Sequence, residues 1–216
     1  MTTIAVIDYG MGNLRSVCKA LEHVSEKATV RLVDSADALR SADRIVFPGQ
    51  GAIRACVNAI DQHALREPLM QALESKPFLG ICLGLQALYQ SSEEGGGIAA
   101  LGVIPGTVKR FPKEKMIDSE TGGVLKVPHM GWSPVRQQRH HPLWEGIDDN
   151  SRFYFVHSYY ADSDDADWIA GTTDYGVRFT SAAGRENIFA VQFHPEKSQH
   201  AGLRLLKNFV TWDGQT

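Results

Sequence analysis

The sequence is poor in cysteine, has no excess of charge of one sign and lacks long apolar runs, and each shortage removes a class of protein. Three cysteines in 216 residues, Cys18, Cys56 and Cys82, are too few and too odd in number for a disulfide framework, and they lack metal-ligand spacing. Cys18 and Cys56 fall within helical patterns and read as core residues. The formal net charge is -3 with Lys and Arg scattered along the chain, so no basic stripe offers itself to nucleic acid. No apolar segment approaches the length needed to span a bilayer, and the first residues run into a strand-like Ile4 to Ile7 without a basic segment or cleavage site. The expectation is a cytoplasmic chain. His140 and His141 are adjacent and should diverge, and no further His or Cys completes a ligand set, so neither a metal nor an organic cofactor is expected. Repeats, linkers and low-complexity tracts are missing too. With 43% hydrophobic residues in 216, the chain can bury one good core and has little left for a second, which predicts one domain over residues 1–216.

What is present is an alternation. Strand-like runs at Ile4 to Ile7, Thr29 to Val33, Ile45 to Phe47 and Phe78 to Ile81 are interleaved with helical spacing at Leu14 to Ser25, Ala52 to Ala59, Leu65 to Leu73 and Leu85 to Ser91. This pattern predicts an α/β fold with a mixed, mainly parallel central sheet and flanking helices. After Gly95-Gly96-Gly97 the character changes to short β-like pieces: Val103-Ile104, Thr107 to Phe111, Arg152 to Val156, Trp168 to Thr172, Gly176 to Thr180 and Ile188 to Phe193. These are expected to add a small antiparallel portion on one flank, with Gln199 to Trp212 closing the fold as a helix. The polar segment Lys113 to Gly123 reads as a surface excursion.

The chemistry concentrates at Gly80-Ile81-Cys82-Leu83-Gly84. Cys82 falls between a buried strand and a helix, and glycines two residues to either side meet the need of a strained elbow, where a missing Cβ lets strand and helix pack closely. Such a turn lifts the sulfur clear and aims the Leu83 N–H and the helix N-terminus at a reacting carbonyl, offering an oxyanion donor and a field that favours thiolate. A buried cysteine beside two packing glycines is the competing reading. His194-Pro195-Glu196 shifts the balance. Residues i and i+2 of an extended chain share a face, and Pro195 keeps His194 extended, so imidazole and carboxylate leave the strand end side by side. Nucleophile, base and base-orienting acid are then all supplied.

Two glycine-rich loops flank this set. Pro48-Gly49-Gln50-Gly51 follows the third strand, at the carboxyl end of the sheet where the elbow opens, and can present backbone N–H groups to an oxyanion or serve as a plain tight turn. Asp8-Tyr9-Gly10-Met11-Gly12-Asn13 has only Gly-x-Gly, without the third glycine of a dinucleotide fingerprint. Gln86 stands four residues past Cys82 on the same helix, so its side chain can reach back towards the elbow.

Taken in order, Pro48 to Gly51, Gly80 to Gln86 and His194 to Glu196 resemble the class I (triad) glutamine amidotransferases over nearly the whole chain. Asp8 to Leu14, Pro128-His129-Met130-Gly131-Trp132, Phe153 to Tyr160 and Lys197-Ser198 are similar to the branch that provides the glutaminase subunits of imidazole glycerol phosphate synthase, in histidine biosynthesis. The resemblance implies a Cys82, His194, Glu196 triad hydrolysing glutamine to glutamate and ammonia through a Cys thioester. It implies an oxyanion site at Leu83 and at Gly49, Gln50 and Gly51. It also implies glutamine contacts from Gln86 together with His157, Ser158 and Tyr159; for His157 a role as a polar strand end is an equal reading. The implied partner is a (βα)8-barrel cyclase subunit in a heterodimer, which takes the ammonia and makes imidazole glycerol phosphate and an aminoimidazole carboxamide ribotide. Asn13, Trp132 and Lys197 are the expected contacts on that face; for Trp132, burial in the core is the competing reading. Gln50 and Ser133 depart from the Val and Asn common in the family. Three alternatives stay open: a stand-alone γ-glutamyl cysteine hydrolase, the glutaminase of vitamin B6 synthesis, and a redox-sensing binding protein using Cys82 as its thiol.

Overall fold

Along the first strands the apolar side chains alternate between two separate cores. Ile4 and Val6 pack with Val46, Leu79 and Ile81 on one side of the sheet, while Ala5 and Ile7 pack with Ile45, Phe47 and Phe78 on the other. That two-sided burial is what a parallel sheet covered by helices requires. The computed structural model describes residues 2–25, 27–118 and 121–216.

The first half follows the expected alternation. β1 (Thr2–Ile7), α1 (Leu14–Val24), β2 (Ala28–Val33), α2 (Ala36–Ser41), β3 (Arg44–Gly49), α3 (Ile53–Gln62), α4 (Arg66–Ser75) and β4 (Phe78–Cys82) come in turn. α2 is short and was not expected from the spacing; Leu39 is its buried anchor. The strands lie in the order β2-β1-β3-β4 with parallel pairing throughout. α3 and α4 bring Ile53, Cys56, Ile60, Leu69 and Leu73 to one face. α1 and the last helix, α6 (Gln199–Thr211), bring Val17, Leu21, Leu205, Leu206 and Phe209 to the other.

The helix expected over Leu85 to Ser91 is cut short. α5 spans only Leu83–Leu88, and β5 (Tyr89–Ser92) continues as a strand. Tyr89 turns extended, at φ -69° and ψ 168°, because β5 is claimed by parallel pairing with β7 (Ile104–Arg110), and the buried Tyr89 hydroxyl bonds Ser163 Oγ at 2.7 Å. Local spacing was overridden by tertiary pairing. The separate pieces Val103-Ile104 and Thr107 to Phe111 merge largely into this one β7. Gly106, at φ +130°, bridges them where an added Cβ would stand 2.3 Å from the Asp162 carbonyl.

The second half supplies β6 (Ile98–Ala99), β8 (His129–Pro134), β9 (Arg136–Gln137), β10 (Arg152–His157), β11 (Tyr159–Ser163), β12 (Ile169–Tyr175), β13 (Val177–Arg185) and β14 (Ile188–Val191). β14 pairs parallel with β4 and antiparallel with β13, and so carries the central sheet over to its antiparallel flank. β8 and β10 instead form a separate two-stranded antiparallel sheet; neither β8 nor β11 was anticipated as a strand. In the Lys113 to Gly123 excursion, Ser119 and Glu120 lie outside the described residues. The remainder forms a short turn and an Ile117–Val124 bridge, with Met116 tucked into the core. Among the described residues no helix is long and apolar enough to cross a membrane.

Candidate active site

The strand-to-helix turn expected at Cys82 is present and strained. β4 ends at Cys82 and α5 begins at Leu83, with Cys82 at φ +55° and ψ -105°, a region that a residue with a Cβ rarely occupies. The glycines are required on steric grounds. A Cβ on Gly84 would sit 1.8 Å from the Phe47 carbonyl oxygen, and one on Gly80 would sit 2.9 Å from the Ala190 Cβ. Cys82 itself is only 6% exposed.

His194 follows β14, the strand next to β4, so its imidazole reaches the elbow from the side. Its backbone is extended, at φ -102° and ψ 97°, as Pro195 demands. The backbone N–H donates to the Tyr154 carbonyl at 2.9 Å, and the His194 carbonyl accepts from Ser198 Oγ at 2.6 Å. Nδ1 and Glu196 Oε1 are 2.9 Å apart, with the two side chains 6% and 1% exposed. Nδ1–H therefore donates to the carboxylate and leaves Nε2 for Cys82; Nε2 is buried and has no hydrogen-bond partner of its own. Burial alone lowers the imidazole pKa, but the contacts with Cys82 and Glu196 outweigh it and raise the value to about 10. An imidazolium held this way stabilises a neighbouring thiolate.

These groups open into a pocket of about 710 Å³ lined by residues that include Met11, Gln50, Gln86, Glu94, Ser158 and His194. A second cleft, about 810 Å³, lies at α1, β2 and α6 and holds none of the candidate groups. Gly51, Leu83, His157 and Tyr159 also line the first pocket. Gly49 stands just beneath: its missing Cβ is what allows the Tyr9 hydroxyl to lie below the loop. That hydroxyl donates to the Pro48 carbonyl at 3.0 Å, and burial raises its pKa well above the ordinary phenol value. Gly12 approaches Gly49 and Gln50, so the first glycine-rich loop leans on the second.

Across the pocket the Tyr159 carbonyl gathers two chains of side chains. Gln86 Nε2 donates to it at 2.9 Å and to Gln192 Oε1 at 3.1 Å, and Gln192 Nε2 stands 3.8 Å from Cys82 Sγ. In the other direction, His157 Nδ1 donates to the same carbonyl at 2.7 Å, His157 Nε2 meets His129 Nδ1 at 3.0 Å, and His129 Nε2 meets Ser133 Oγ at 2.8 Å. Since a carbonyl only accepts, His157 carries its proton on Nδ1, His129 must donate from Nδ1, and the Ser133 hydroxyl donates. Burial lowers the His129 pKa to about 4, and burial together with His129 lowers that of His157 to about 3; both rings are neutral. Both His157 nitrogens are thereby engaged within the protein.

On the outer surface, Trp132 on β8 is 39% exposed and Met130 is 62% exposed. Trp132 meets the Tyr154 ring at 6.0 Å, and Lys197 Nζ lies 5.9 Å from the centre of that same ring. Asn13 precedes α1 and accepts from Ser16 Oγ at 3.0 Å; it borders a small cleft shared with Gly49, His194 and Glu196. His140 and His141 do diverge, His140 exposed and His141 buried. Among the described residues no group of three or more His, Cys, Asp or Glu could hold a metal ion.

Reading the sequence alone gave no individual role to Tyr9, His129 and Tyr154, which it took only as parts of longer motifs, and passed over Glu94 and Gln192. Gln192 was reachable, since it precedes His194 by two residues and the same alternation that pairs His194 with Glu196 places it on that face. Glu94 was not: its Oε2 accepts from the Ile53 N–H at 2.8 Å, a contact across 41 residues of sequence.

The sequence model of the family described as Glutamine amidotransferase class-I matches residues 5–212. The protein of Thiobacillus denitrificans named imidazole glycerol phosphate synthase subunit HisH is 59% identical, over 97% of this chain and 91% of that protein. Its namesake in Nitrosomonas europaea is 55% identical, over 98% of this chain and 99% of that protein. Among solved structures, PurLQS from Thermotoga maritima matches 97% of each chain at TM-score 0.73 and 17% identity, a likeness of fold. A structure described as glutamine amidotransferase matches 96% of each chain at TM-score 0.70 and 16% identity. By sequence and by the geometry of its elbow, the chain belongs to the class-I glutamine amidotransferase family.

Proposed function

We propose that this chain is the glutaminase subunit of an imidazole glycerol phosphate synthase, hydrolysing glutamine and passing the ammonia to a cyclase subunit. The observation that carries the chemistry is the meeting, in one pocket, of a strained Cys82 with a His194 whose cation is held by Glu196 at 2.9 Å. Relatives at 53–59% identity that bear this subunit's name support the branch; a stand-alone hydrolase and the glutaminase of vitamin B6 synthesis are not favoured.

The steps follow from the atoms. The Cys82 thiolate attacks the side-chain carbonyl carbon of glutamine, and the oxyanion is received by the Leu83 N–H and the Gly49-Gln50-Gly51 loop. His194 Nε2 gives its proton to the departing nitrogen, the C–N bond breaks, and ammonia leaves a γ-glutamyl thioester. Water, losing a proton to the same Nε2, then attacks the thioester; the C–S bond breaks and glutamate is released with the thiolate restored. Glu196 keeps the proton on Nδ1 throughout.

At the far end, both Gln86 N–H groups are spent on Tyr159 and Gln192, so the end left for the substrate is Oε1, an acceptor. Gln86 Oε1 and the Glu94 carboxylate therefore suit the substrate's α-ammonium, and the backbone of Ser158 and Tyr159 suits its carboxylate. Ammonia released into water would be protonated and lost, which favours a docked acceptor. The exposed Met130 and Trp132 beside Lys197 and Tyr154 supply an apolar anchor with a cationic rim for a (βα)8-barrel partner. Asn13 extends this face next to the loop that carries the oxyanion donors. The reading implies a single domain over 1–216 and a cytoplasmic enzyme.

The test is glutamate release from glutamine by the purified chain, alone and mixed with the cyclase subunit and its ribotide ligand. Strong stimulation by the partner, abolished in Cys82→Ala, is expected. Equal turnover with and without the partner would overturn the subunit assignment, and activity surviving Cys82→Ala would overturn the mechanism.

A further inference from the structure

Gln192 is 0% exposed and stands against the Cys82 sulfur, linked to the pocket through Gln86, yet the chemistry above gives it no part. The direction of its amide is not free. The Tyr159 carbonyl can only accept, so the group that Gln86 turns to it must be Nε2; the second N–H on that nitrogen then points to Gln192, at 3.1 Å. Gln192 must answer with its oxygen. Because the amide is planar and its oxygen is engaged, the nitrogen is the end left to face Cys82 Sγ, at 3.8 Å. A backbone carbonyl on β11 therefore fixes, through two amides, that the sulfur meets a donor rather than an acceptor.

We propose that Gln192 is a thiolate-holding residue of this enzyme: its Nε2–H donates to the Cys82 sulfur, favouring the charged nucleophile and keeping it turned to the pocket. The inference rests on Cys82 being the nucleophile. His194 and Gln192 then clasp the sulfur from two directions, one as a cation and the other as a neutral dipole. Tyr9, two residues past β1, also acts on this sulfur, and burial keeps it protonated throughout the range of the test. Gln192 also ties sulfur to pocket, since the Gln86 that orients it is the residue proposed to receive the substrate's ammonium. A substrate that pulls Gln86 aside would loosen the donor, whereas one that leaves both Gln86 N–H bonds intact keeps the thiolate held.

The experiment is alkylation of the full-length chain by iodoacetamide, in which thiolate displaces iodide. The Cys82 peptide is followed by mass spectrometry from pH 5 to pH 9, separately from Cys18 and Cys56. Burial is the main cause that holds those two thiols high, to about 11 and about 12, so they serve as slow internal references. In Gln192→Leu the Cys82 rate on the rising part of the profile should fall about three- to tenfold and the profile should move to higher pH, as expected for losing one donor to a charged group. Gln192→Glu retains an acceptor for Gln86 but sets a carboxylate oxygen against the sulfur, and should lower the rate by more than about tenfold. It is also the variant closest in shape, and it keeps the test open if the leucine variant does not fold. Gln86→Leu, which releases the Gln192 amide to turn, should give a smaller shift in the same direction. An unchanged profile in folded Gln192→Glu overturns the proposal. If wild-type Cys82 reacts no faster than Cys18, the glutaminase reading falls as well; a reactive Cys82 indifferent to residue 192 removes this inference alone.

Discussion

His194 and His157 both line one pocket, and the fold drives one to the cation and the other to the neutral ring. Both are buried, and burial by itself disfavours the cation in each. His194 has a carboxylate on one nitrogen and a thiol facing the other, and its pKa rises to about 10; His157 has a carbonyl and a neutral imidazole, and its pKa falls to about 3. Burial pushes both values down, and the contacts with Cys82 and Glu196 reverse the sign at His194 alone. A carbonyl orients a histidine without charging it, whereas a carboxylate does both, so one residue type serves as proton carrier at one wall and as inert strut at the other.

The largest test is to make His194 resemble His157. Glu196→Gln removes the charge while preserving shape, and glutamine turnover by the complex should fall about 10³- to 10⁴-fold, the scale seen when a triad acid is neutralised. The same variant has a signature in stability. A raised pKa in the folded state means that His194 contributes fully below its unfolded value near 6.5 and loses that contribution as pH climbs towards about 10. Urea midpoints of the wild type should therefore decline over this alkaline window, and Glu196→Gln should flatten the decline. An alkaline limb unaltered by the substitution would show that Glu196 does not hold the cation.

The neutral histidines predict the other limb. His129, His141 and His157 have depressed values of about 4, 3 and 3, so the unfolded chain binds protons below pH 6.5 that the folded one refuses. Stability should fall with acidification by about 1.4 kcal/mol per pH unit for each histidine. His141 is the cleanest probe, since it packs between Phe189 and Trp212 away from the pocket. His141→Phe should remove about a third of the acid slope without touching turnover. A slope that does not change assigns acid sensitivity to other groups.

The smallest expected effect concerns the loop beside both histidines. Tyr9→Phe leaves the Pro48 carbonyl without its 3.0 Å donor and should cost about 1–2 kcal/mol in unfolding free energy. Because that hydroxyl anchors the peptide preceding Gly49, the variant should also alter how strongly the partner stimulates glutaminase activity. Equal stimulation in the two proteins would make the bond a packing contact only.

How much of this was legible varies with the distance over which each decision is made. The elbow could be read because its demand is local: Gly80 and Gly84 are spaced for close approach, and the backbone obeys with a positive φ at Cys82. His194 and Glu196 could be paired because an extended chain puts alternate residues on one face. The early strands and most helices follow from apolar periodicity in the same way. Tyr89 to Ser92 misled, since a helical spacing continued in sequence while the backbone was taken by β7. β8 and β11 escaped notice because Pro128 to Pro134 and Tyr159 to Ser163 carry polar and glycine positions whose partners lie far away in the chain.

By itself, then, the sequence determined which residues could act: a cysteine at a glycine-flanked turn, a histidine and glutamate one alternation apart, and the alternating runs of a two-sided sheet. Only the tertiary structure decided the states in which they stand. Whether a histidine is charged depends on the carboxylate or carbonyl that folding brings to it, and which end of the Gln192 amide meets the sulfur depends on a carbonyl at Tyr159, reached through Gln86. Hydrogen-bond direction and desolvation are set by contacts across dozens of residues, and no local pattern encodes them.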